Sequence, residues 1–200
     1  MDFITQLPKS EGYTTICIVV DRFSKFAHFL PLKLGFTAKT VAQVFISTVV
    51  KLHGFPTSIV SDRDPLFLSK FWRQLFKFSR TQLHYSFAYH PQSDGQTEVV
   101  NRCLEQYLRA YSHWEPHKWV THLPWAEFSY NTSFHTAIAM TPFEALYGFS
   151  PQVIPGYVPS SFAIAEVDEL LCARTTLDQE IQYQLKQTQE KMKKHADRTR

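Results

Sequence analysis

The stretch TICIVVDRFSKFAHFLPL, residues 15–32, decides the fold class. Its first half, TICIVVDRF (15–23), is a nearly continuous apolar run rich in β-branched residues, which is typical of a central strand. The second half, KFAHFLPL (25–32), follows after a short break, so the two halves are predicted to pair as a hairpin. MDFIT (1–5) has the pattern of the end of another strand. The chain is therefore predicted to open with a sheet.

A change of hydrophobic period after this sheet indicates helices. Apolar residues recur at helical spacing over residues 37–53, and Gly54 and Pro56 end the pattern. TSIVSDRDP (57–65) predicts a short strand that runs into an acidic turn. Further helices are predicted over residues 66–79, 96–112, 119–134 and 141–148, and a short strand over residues 82–86. This order of elements indicates an α/β fold with a mixed sheet.

The last quarter of the chain is predicted to lie outside this core. Residues 151–165 are rich in proline and are predicted to form a linker. Residues 166–200 are predicted to form a helical extension, because leucine and isoleucine recur there on one narrow stripe. The expected organisation is a core of residues 1–150, a linker and an extended helix.

The composition excludes several classes of protein. Of the 200 residues, 44% are hydrophobic and 20% charged, which is typical of a globular domain. No apolar run approaches the ~18 residues of a membrane span, and the first residues do not resemble a signal peptide. Cys17, Cys103 and Cys172 lie far apart without CxxC spacing, which favours a reducing compartment and argues against a structural zinc site.

Two acidic residues stand at the start of the longest predicted helix of the core. In AYHPQSDGQTEVVNRCLEQYL (88–108), Asp94 and Glu98 are four residues apart. Glu98 shares a polar stripe with Arg102 and Glu105, and helical spacing alone favours a solvated face with Glu–Arg pairs. The spacing therefore does not single out either acid for chemistry.

Asp62 stands where an apolar strand gives way to a turn. In open α/β sheets, ligand sites gather at the carboxyl ends of strands. The alternative is that Asp62 caps the following helix, a position that Asp64, directly before Pro65, would fill better. Asp62 is therefore a candidate for binding or catalysis.

Asp2 and Asp21 are further candidates. Asp2 lies in a strand pattern, where a carboxylate is disfavoured and needs a reason such as metal binding. Asp21, at the end of ICIVV, competes with it. Three carboxylates on two strands and a helix would suit two Mg²⁺ ions, which prefer oxygen ligands and can act together in phosphodiester displacement.

Five segments of the sequence carry a resemblance to a known family. They are MDFITQLPKSEGY, VVDRFSKFAHFLPL, LHGFPTSIVSDRDPLF, YHPQSDGQTEVVNR and LPWAEFSYNTSFHTAIAMTPFEALYG. Residues 1–150, which contain them, resemble the catalytic core of retroviral-type integrases of gypsy-like LTR retrotransposons. The resemblance implies a ribonuclease-H-like fold with a mixed five-stranded sheet flanked by helices.

The family's D,D-x35-E triad maps onto three residues of this chain. Asp62 and Glu98 are separated by 35 intervening residues, 63–97, as the triad requires. The family's first acid lies within the MDFI segment, which corresponds to Asp2 and leaves Asp21 a structural role. The resemblance implies that these three acids bind Mg²⁺ or Mn²⁺, expected as two ions. It also implies 3′-end processing and strand transfer on double-stranded DNA, a homo-oligomer in the nucleus, and no membrane association.

Several further residues are expected to contact DNA. The loop over residues 88–97 offers His90 and Gln96, and the helix beyond Glu98 offers Asn101 and Arg102. Another helix carries a basic stripe of Lys70, Arg73, Lys77 and Arg80. The alternatives are a turn position for His90, pairing of Arg102 with Glu98, and a solvated outer face for the stripe.

Two other functions remain open at this stage. In the integrase family, several residues precede the MDF segment in the same strand, and a further module follows the core. Since this chain begins one residue before Asp2, it could be an inactive integrase-derived domain that binds DNA or protein. A ribonuclease H shares the fold, although the x35 spacing favours an integrase.

Overall fold

The computed structural model describes residues 1–85, 100–108, 116–152, 165–169 and 171–172. Glu98, His90 and Gln96 lie outside the described residues, as do nearly all of the expected linker and most of the expected C-terminal helix.

The first three strands form an antiparallel sheet. Strands β1 (Asp2–Ile4), β2 (Tyr13–Val20) and β3 (Ala27–Lys33) lie in the order β1-β2-β3. Asp2 pairs with Ile18 across the first ladder. The predicted hairpin is confirmed, since β2 and β3 pair over their length.

The last two strands form a separate parallel pair. Strands β4 (Ser58–Ser61) and β5 (Gln82–Tyr85) pair in register from Ser58 opposite Gln82. One hydrogen bond reaches from this pair to the first sheet, since the Met1 ammonium group donates to the Val60 carbonyl over 2.7 Å. All five predicted strands are present, but a single five-stranded sheet is not confirmed. Among the described residues, the ladder of β1 is formed with β2, and that of β4 with β5.

The segment after β3 is helical as predicted. Helix α1 (Ala38–Phe45) continues through a π-helical turn (Ile46–Val50) into α2 (Lys51–His53). The side chain of Thr37 caps its start by accepting a hydrogen bond from the Thr40 amide. Gly54, at φ 76°, ends it in a backbone conformation that costs glycine little.

The next helix starts later than predicted. Helix α3 (Lys70–Phe78) begins after Ser69, whose side chain accepts from the Trp72 amide over 3.2 Å. The preceding residues form turns instead, because the Asp64 carboxylate accepts from the Leu66 amide over 2.8 Å. Neither Asp62 nor Asp64 is therefore the cap of α3.

The remaining helices cover the other side of the sheet and its far end. Residues 100–108 form α4, within the span predicted as residues 96–112. A 3₁₀ turn (Pro116–Lys118) leads into α5 (Trp119–Thr132). Helix α6 (Pro142–Tyr147) has the predicted Thr141 cap, in a capping box with Glu144.

Helices pack against both faces of the antiparallel sheet. On one face Ile16 and Ile18 of β2 contact α4 and α5 through residues such as Leu104. On the other, Cys17 contacts a cluster built around Phe45 of α1 and extended by Trp72 and Phe76 of α3. Successive side chains of β2 thus face opposite sides of the sheet and contribute to two hydrophobic cores. Replacing a buried ring such as Phe45 with Ala would lower the free energy of unfolding by about 3–5 kcal/mol.

Side chains of α5 cover the outer edge of β3. The Asn131 amide pairs twice with Ala27, accepting from its N–H and donating to its C=O, each over 2.8 Å. Glu127 Oε2 accepts from the Phe29 amide over 2.7 Å. These contacts satisfy edge groups that would otherwise be open to another strand. In the described part of the chain, no helix has the length and apolar character needed to cross a membrane.

Candidate active site

The first predicted ligand, Asp2, is held by both of its oxygen atoms. Asp2 Oδ1 accepts from the backbone amide of Phe3 over 2.8 Å. Asp2 Oδ2 accepts from Asn101 Nδ2 over 2.6 Å, which ties β1 to α4 across 99 positions of sequence. Two donors fix the direction of this carboxylate, while lone pairs on both oxygens remain for a further ligand.

The second predicted ligand, Asp62, directly follows β4 and is half-buried. Burial raises the pKa of its carboxyl group, the negative charges of Asp2 and Asp64 raise it further, and a hydrogen bond from the Asp64 amide opposes them. The effect of the Asp2 charge on the pKa of Asp62 indicates that the two carboxylates lie near one another, although they are 60 positions apart. Two partly desolvated carboxylates of like charge form a site that a cation would stabilise.

The thiol of Cys17 reports on the same two carboxylates. It is fully buried on β2, and desolvation is the main cause that raises its pKa to about 12. The charges of Asp2 and Asp62 also raise this pKa, while the Met1 ammonium group opposes them. Cys17 is therefore a neutral, unreactive thiol lying close to both acids.

The donor atoms of this site fit a hard divalent cation. Asn101 Oδ1 is buried and has no hydrogen-bond partner among the described residues. Asp2 and Asp62 supply carboxylate oxygens, and oxygen donors are what Mg²⁺ and Mn²⁺ prefer. Asp2 and Asp62 would hold such an ion. No group of three His, Cys, Asp or Glu residues suited to a metal is found among the described residues, which do not include Glu98.

Asp21, the competitor of Asp2, is engaged in the hairpin turn. Its Oδ2 accepts from the Ser24 amide over 2.7 Å and from the Ser24 hydroxyl over 2.6 Å. Its backbone amide pairs with the Phe26 carbonyl. These bonds give Asp21 a structural task at the end of β2, in agreement with the expectation.

Those residues expected to contact DNA that the structure describes lie along α3, just beyond it, and on α4. Lys70, Arg73, Lys77 and Arg80 are exposed along and just beyond α3, as both the DNA-contact and the solvated-face interpretations require. Arg102 is exposed on α4, whereas Asn101 turns its amide towards Asp2. Their contacts with DNA stay predictions.

Sequence reasoning missed a polar cluster around His28 on β3. His28 of β3 lies between Glu127 of α5 and His53 of α2, with nitrogen–oxygen and nitrogen–nitrogen distances of 3.0 and 2.9 Å. The three residues are far apart in sequence, and no spacing signal connects them. Only the tertiary fold brings them together.

Comparison with solved structures defines the class of fold. The chain is similar to a simian T-cell lymphotropic virus intasome in complex with PP2A regulatory subunit B56 gamma, with a TM-score of 0.63, 19% identity, and coverage of 82% of this chain and 58% of that one. It is also similar to the HTLV-2 integrase catalytic core domain in complex with magnesium (trimeric form), with a TM-score of 0.56, 19% identity, and coverage of 72% and 93%. The fold is that of retroviral integrase catalytic cores.

Comparison with curated sequences identifies the relatives. The chain is homologous to the Tf2 retrotransposon polyproteins, as the sequence segments predicted. It is 37% identical over 197 residues to both the Transposon Tf2-3 and the Transposon Tf2-4 polyprotein of Schizosaccharomyces pombe (strain 972 / ATCC 24843). The match covers 98% of this chain and 15% of the length of each relative. No model of a protein family matches the chain.

Proposed function

We propose that this chain is the catalytic core of a gypsy-like retrotransposon integrase, which trims the 3′ ends of the element's DNA and joins them to target DNA. The carrying observation is that Asp2 lies near enough to Asp62 for its charge to raise the pKa of Asp62, while Asn101 donates a hydrogen bond to Asp2. Glu98, 35 residues beyond Asp62, is the proposed third ligand. Homology to the Tf2 polyproteins supports this assignment.

The residues of the site divide the work of binding and positioning. Asp2, Asp62 and Glu98 are proposed to hold two Mg²⁺ or Mn²⁺ ions, and the magnesium complex of the HTLV-2 core supports this choice of metal. When bound, such a pair supplies activation of the attacking oxygen and stabilisation of the leaving one. Asn101 holds Asp2 in one orientation through its amide N–H. Its buried Oδ1 is an acceptor for a water or hydroxyl donor at the same site.

The DNA is proposed to lie across α3 and the start of α4. Lys70, Arg73 and Lys77 recur at helical spacing on the exposed side of α3, and Arg80 follows. On α4, Arg102 is proposed to reach phosphate, as is Asn101 through local rearrangement. His90 and Gln96 are proposed to bind the DNA end from the preceding loop.

Salt dependence of DNA binding tests the basic stripe. Each phosphate contact contributes about 0.9 to the slope of log K against log salt for duplex DNA. Replacing all four basic residues with Ala is therefore expected to reduce the slope by up to about 3.6. A matched variant with Lys9, Lys33, Lys39 and Lys51 replaced keeps the net charge equal. Equal slopes for both variants would show that the stripe has no specific role.

We also propose that β1 is extended at its start when the chain is part of a longer protein. The extended strand would lie between β2 and β4 and so join the two sheets into one. The Met1 amine already donates to Val60. A groove of about 410 Å³ continues from Met1 between Val19 and Val20 of β2 and Ser58 to Val60 of β4. Residues before Met1 would occupy the part of this groove that lies between β2 and β4, as the centre of a five-stranded sheet. An N-terminally extended chain is expected to unfold at higher denaturant concentration, and an unchanged midpoint would contradict the extension.

We propose that the whole chain is organised in three parts. Residues 1–150 are proposed to be the core, 151–165 a linker, and 166–200 a helix leading towards a further module. The core is proposed to act as a homo-oligomer, since the HTLV-2 core is described in trimeric and dimeric forms. The site of action would be the nucleus, where the target DNA is found.

One observation favours an inactive DNA-binding domain as the second candidate. The basic side chains of Lys70, Arg73 and Lys77 are exposed on α3, and their charges would bind phosphate without any metal. In that case the chain would bind DNA without joining it. A ribonuclease H would instead cleave RNA–DNA hybrids without DNA joining.

A strand-transfer assay with Mg²⁺ or Mn²⁺ separates these candidates. The intact chain is expected to join DNA ends, and the Glu98→Gln and Asp62→Asn variants are expected to lose this activity. Glu105→Gln is the matched control, because Glu105 is an exposed acid on α4. Equal product from the intact chain and the Glu98→Gln variant would exclude triad chemistry.

A further inference from the structure

Two histidines that the candidate active site does not use meet at the groove beside β2. His28 Nε2 and His53 Nε2 are 2.9 Å apart, and both rings line the groove together with Asp21. His28 is 6% exposed on β3, whereas His53 is exposed at the end of α2. The fold therefore directs two metal-binding nitrogens towards each other at a solvent-accessible surface.

A carboxylate fixes the orientation of the buried ring. His28 Nδ1 is 3.0 Å from Glu127 Oε1, so the proton on Nδ1 has an acceptor and Nε2 keeps its lone pair. Glu127 is itself held, because its Oε2 accepts from the Phe29 amide over 2.7 Å. A carboxylate behind a histidine is the arrangement that orients histidine ligands in metal sites and raises their basicity.

The spacing of the rings matches a tetrahedral ion. The ring centroids of His28 and His53 are 5.2 Å apart. Two imidazoles bound to one tetrahedral Zn²⁺ at ~2.0–2.1 Å have centroids about 5.2 Å apart and nitrogens about 3.3 Å apart. The two rings would therefore need to turn without moving apart, which opens the nitrogen–nitrogen distance by roughly 0.4 Å.

The electrostatic surroundings favour a neutral pair of rings beside a negative charge. Burial is the main cause that lowers the pKa of His53, and the positive charge that His28 would carry lowers it further. Imidazole must be neutral to bind a metal, so this shift favours binding at neutral pH. The Asp21 carboxylate opposes the shift and lines the same groove. It offers a negatively charged third ligand.

We propose that His28 and His53 form a binding site for a borderline divalent transition metal, with Zn²⁺ the foremost candidate, completed by Asp21 and water. No third ligand is yet in place, since the described residues contain no converged group of three. The spacing of the cysteines argued against structural zinc, whereas this site uses nitrogen and oxygen donors from three elements. An ion here would join the end of α2 to β3 and so anchor residues 54–57, which lead into the strand before Asp62.

Titration of the 200-residue chain with Co²⁺ and Zn²⁺ tests the proposal. Excess Mg²⁺ is kept present so that the carboxylates of the candidate active site are occupied. One equivalent of Co²⁺ is expected to give the intense visible absorption of tetrahedral coordination, and Zn²⁺ is expected to displace it. His53→Gln is expected to weaken Zn²⁺ binding at least tenfold, and Glu127→Gln about 10–100-fold.

Matched variants separate this site from other histidines and from the catalytic acids. His84→Gln removes an exposed histidine of β5, and Asp62→Asn removes a proposed catalytic ligand. Both are expected to bind Zn²⁺ as the intact chain does. Equal Zn²⁺ affinity in His53→Gln and the intact chain would overturn the proposal. Loss of Zn²⁺ binding in His84→Gln or in Asp62→Asn, with binding retained in His53→Gln, would also overturn it.

A measurement on the unaltered chain does not depend on the folding of any variant. The ¹⁵N resonances of the histidine side chains are expected to show Zn²⁺ shifts at Nε2 of His28 and His53. Unchanged Nε2 resonances of both rings at saturating Zn²⁺ would show that His28 and His53 share a hydrogen bond and do not bind Zn²⁺. Excess Zn²⁺ is also expected to raise the Tm of the intact chain but not that of His53→Gln.

Discussion

Two sites at opposite edges of the antiparallel sheet each combine an asparagine with a carboxylate and use these groups in opposite ways. At the outer edge of β3, both amide atoms of Asn131 pair with Ala27, and Glu127 accepts a backbone amide. At β1, Asn101 uses one amide atom on Asp2 and leaves its buried Oδ1 unpaired among the described residues. A satisfied pair stabilises the fold, and an incompletely satisfied pair is available for a ligand.

The carboxylates differ in the same way. Glu127 lies between an amide and an imidazole, which complete its bonds. Asp62 lies half-buried near Asp2, and burial together with like charge raises its pKa. A cation bound near Asp62 would offset this unfavourable electrostatic environment, and shifted pKa values of this kind are typical of functional sites.

The largest expected effect comes from Asp62. Asp62→Asn is expected to reduce strand transfer by roughly 1000-fold, because it removes a ligand of ions worth several kcal/mol in the transition state. The unfolding midpoint in denaturant should stay the same or rise, since a like charge is removed. Single-turnover strand transfer and urea unfolding measure the two quantities. A parallel loss of activity and stability would make Asp62 a structural residue.

The two asparagines are expected to separate stability from activity. Asn131→Ala leaves the buried N–H and C=O of Ala27 without partners, so the free energy of unfolding should fall by about 2–5 kcal/mol. Asn101→Ala removes one such bond and an atom that is already unpaired, so its cost in stability should be smaller.

Activity is expected to rank the same variants in reverse. Asn101→Ala should lower strand transfer about 10–100-fold at permissive temperature, since an outer partner of a metal ligand is lost. Asn131→Ala should retain activity where it is folded. Asn101→Gln serves as the conservative variant, because it keeps an amide N–H donor, and it is expected to retain more activity than Asn101→Ala if Asn101 positions Asp2. Equal activity of the intact chain and Asn101→Ala would contradict that role.

The pH dependence of stability is a smaller effect. Because the pKa of Asp62 is raised in the folded chain, protonation of Asp62 favours folding. Its destabilising contribution is absent below the ordinary pKa of 3.8 and fully present above the raised value. In metal-free buffer, the difference in unfolding free energy between Asp62→Asn and the intact chain should therefore grow as pH rises through this window. A difference independent of pH would show that Asp62 is not desolvated.

The sequence predicted the elements whose signals are local. The β2–β3 hairpin and the helix over residues 37–53 follow from period and from end signals such as Gly54. The predicted start of α3 was wrong by several residues. The Asp64 side chain stabilises a turn at residues 64–66, and the helix is capped by Ser69. Competition between neighbouring polar side chains for the same amides is difficult to decide from sequence.

The candidate site was only partly predictable, for a different reason. Asp62 could be proposed from its place at the end of a strand, but the residues alone left Asp2 and Asp21 as equals. Their bonds separate them, since Asp21 closes a turn and Asp2 receives Asn101 from 99 positions away. The meeting of His28 with His53 has the same origin in tertiary packing. The role of Glu98 stays a prediction based on spacing and resemblance.

Binding of Mn²⁺ tests most directly whether Asp2 and Asp62 form a cation site. Electron paramagnetic resonance of free Mn²⁺ gives the affinity of the intact chain, of Asp2→Asn and Asp62→Asn, and of Glu105→Gln as the matched control. Because Glu105 is an exposed acid on α4, the intact chain and Glu105→Gln are expected to bind Mn²⁺ with equal affinity, and the other two variants at least tenfold more weakly. Equal affinity in all four proteins would contradict the account.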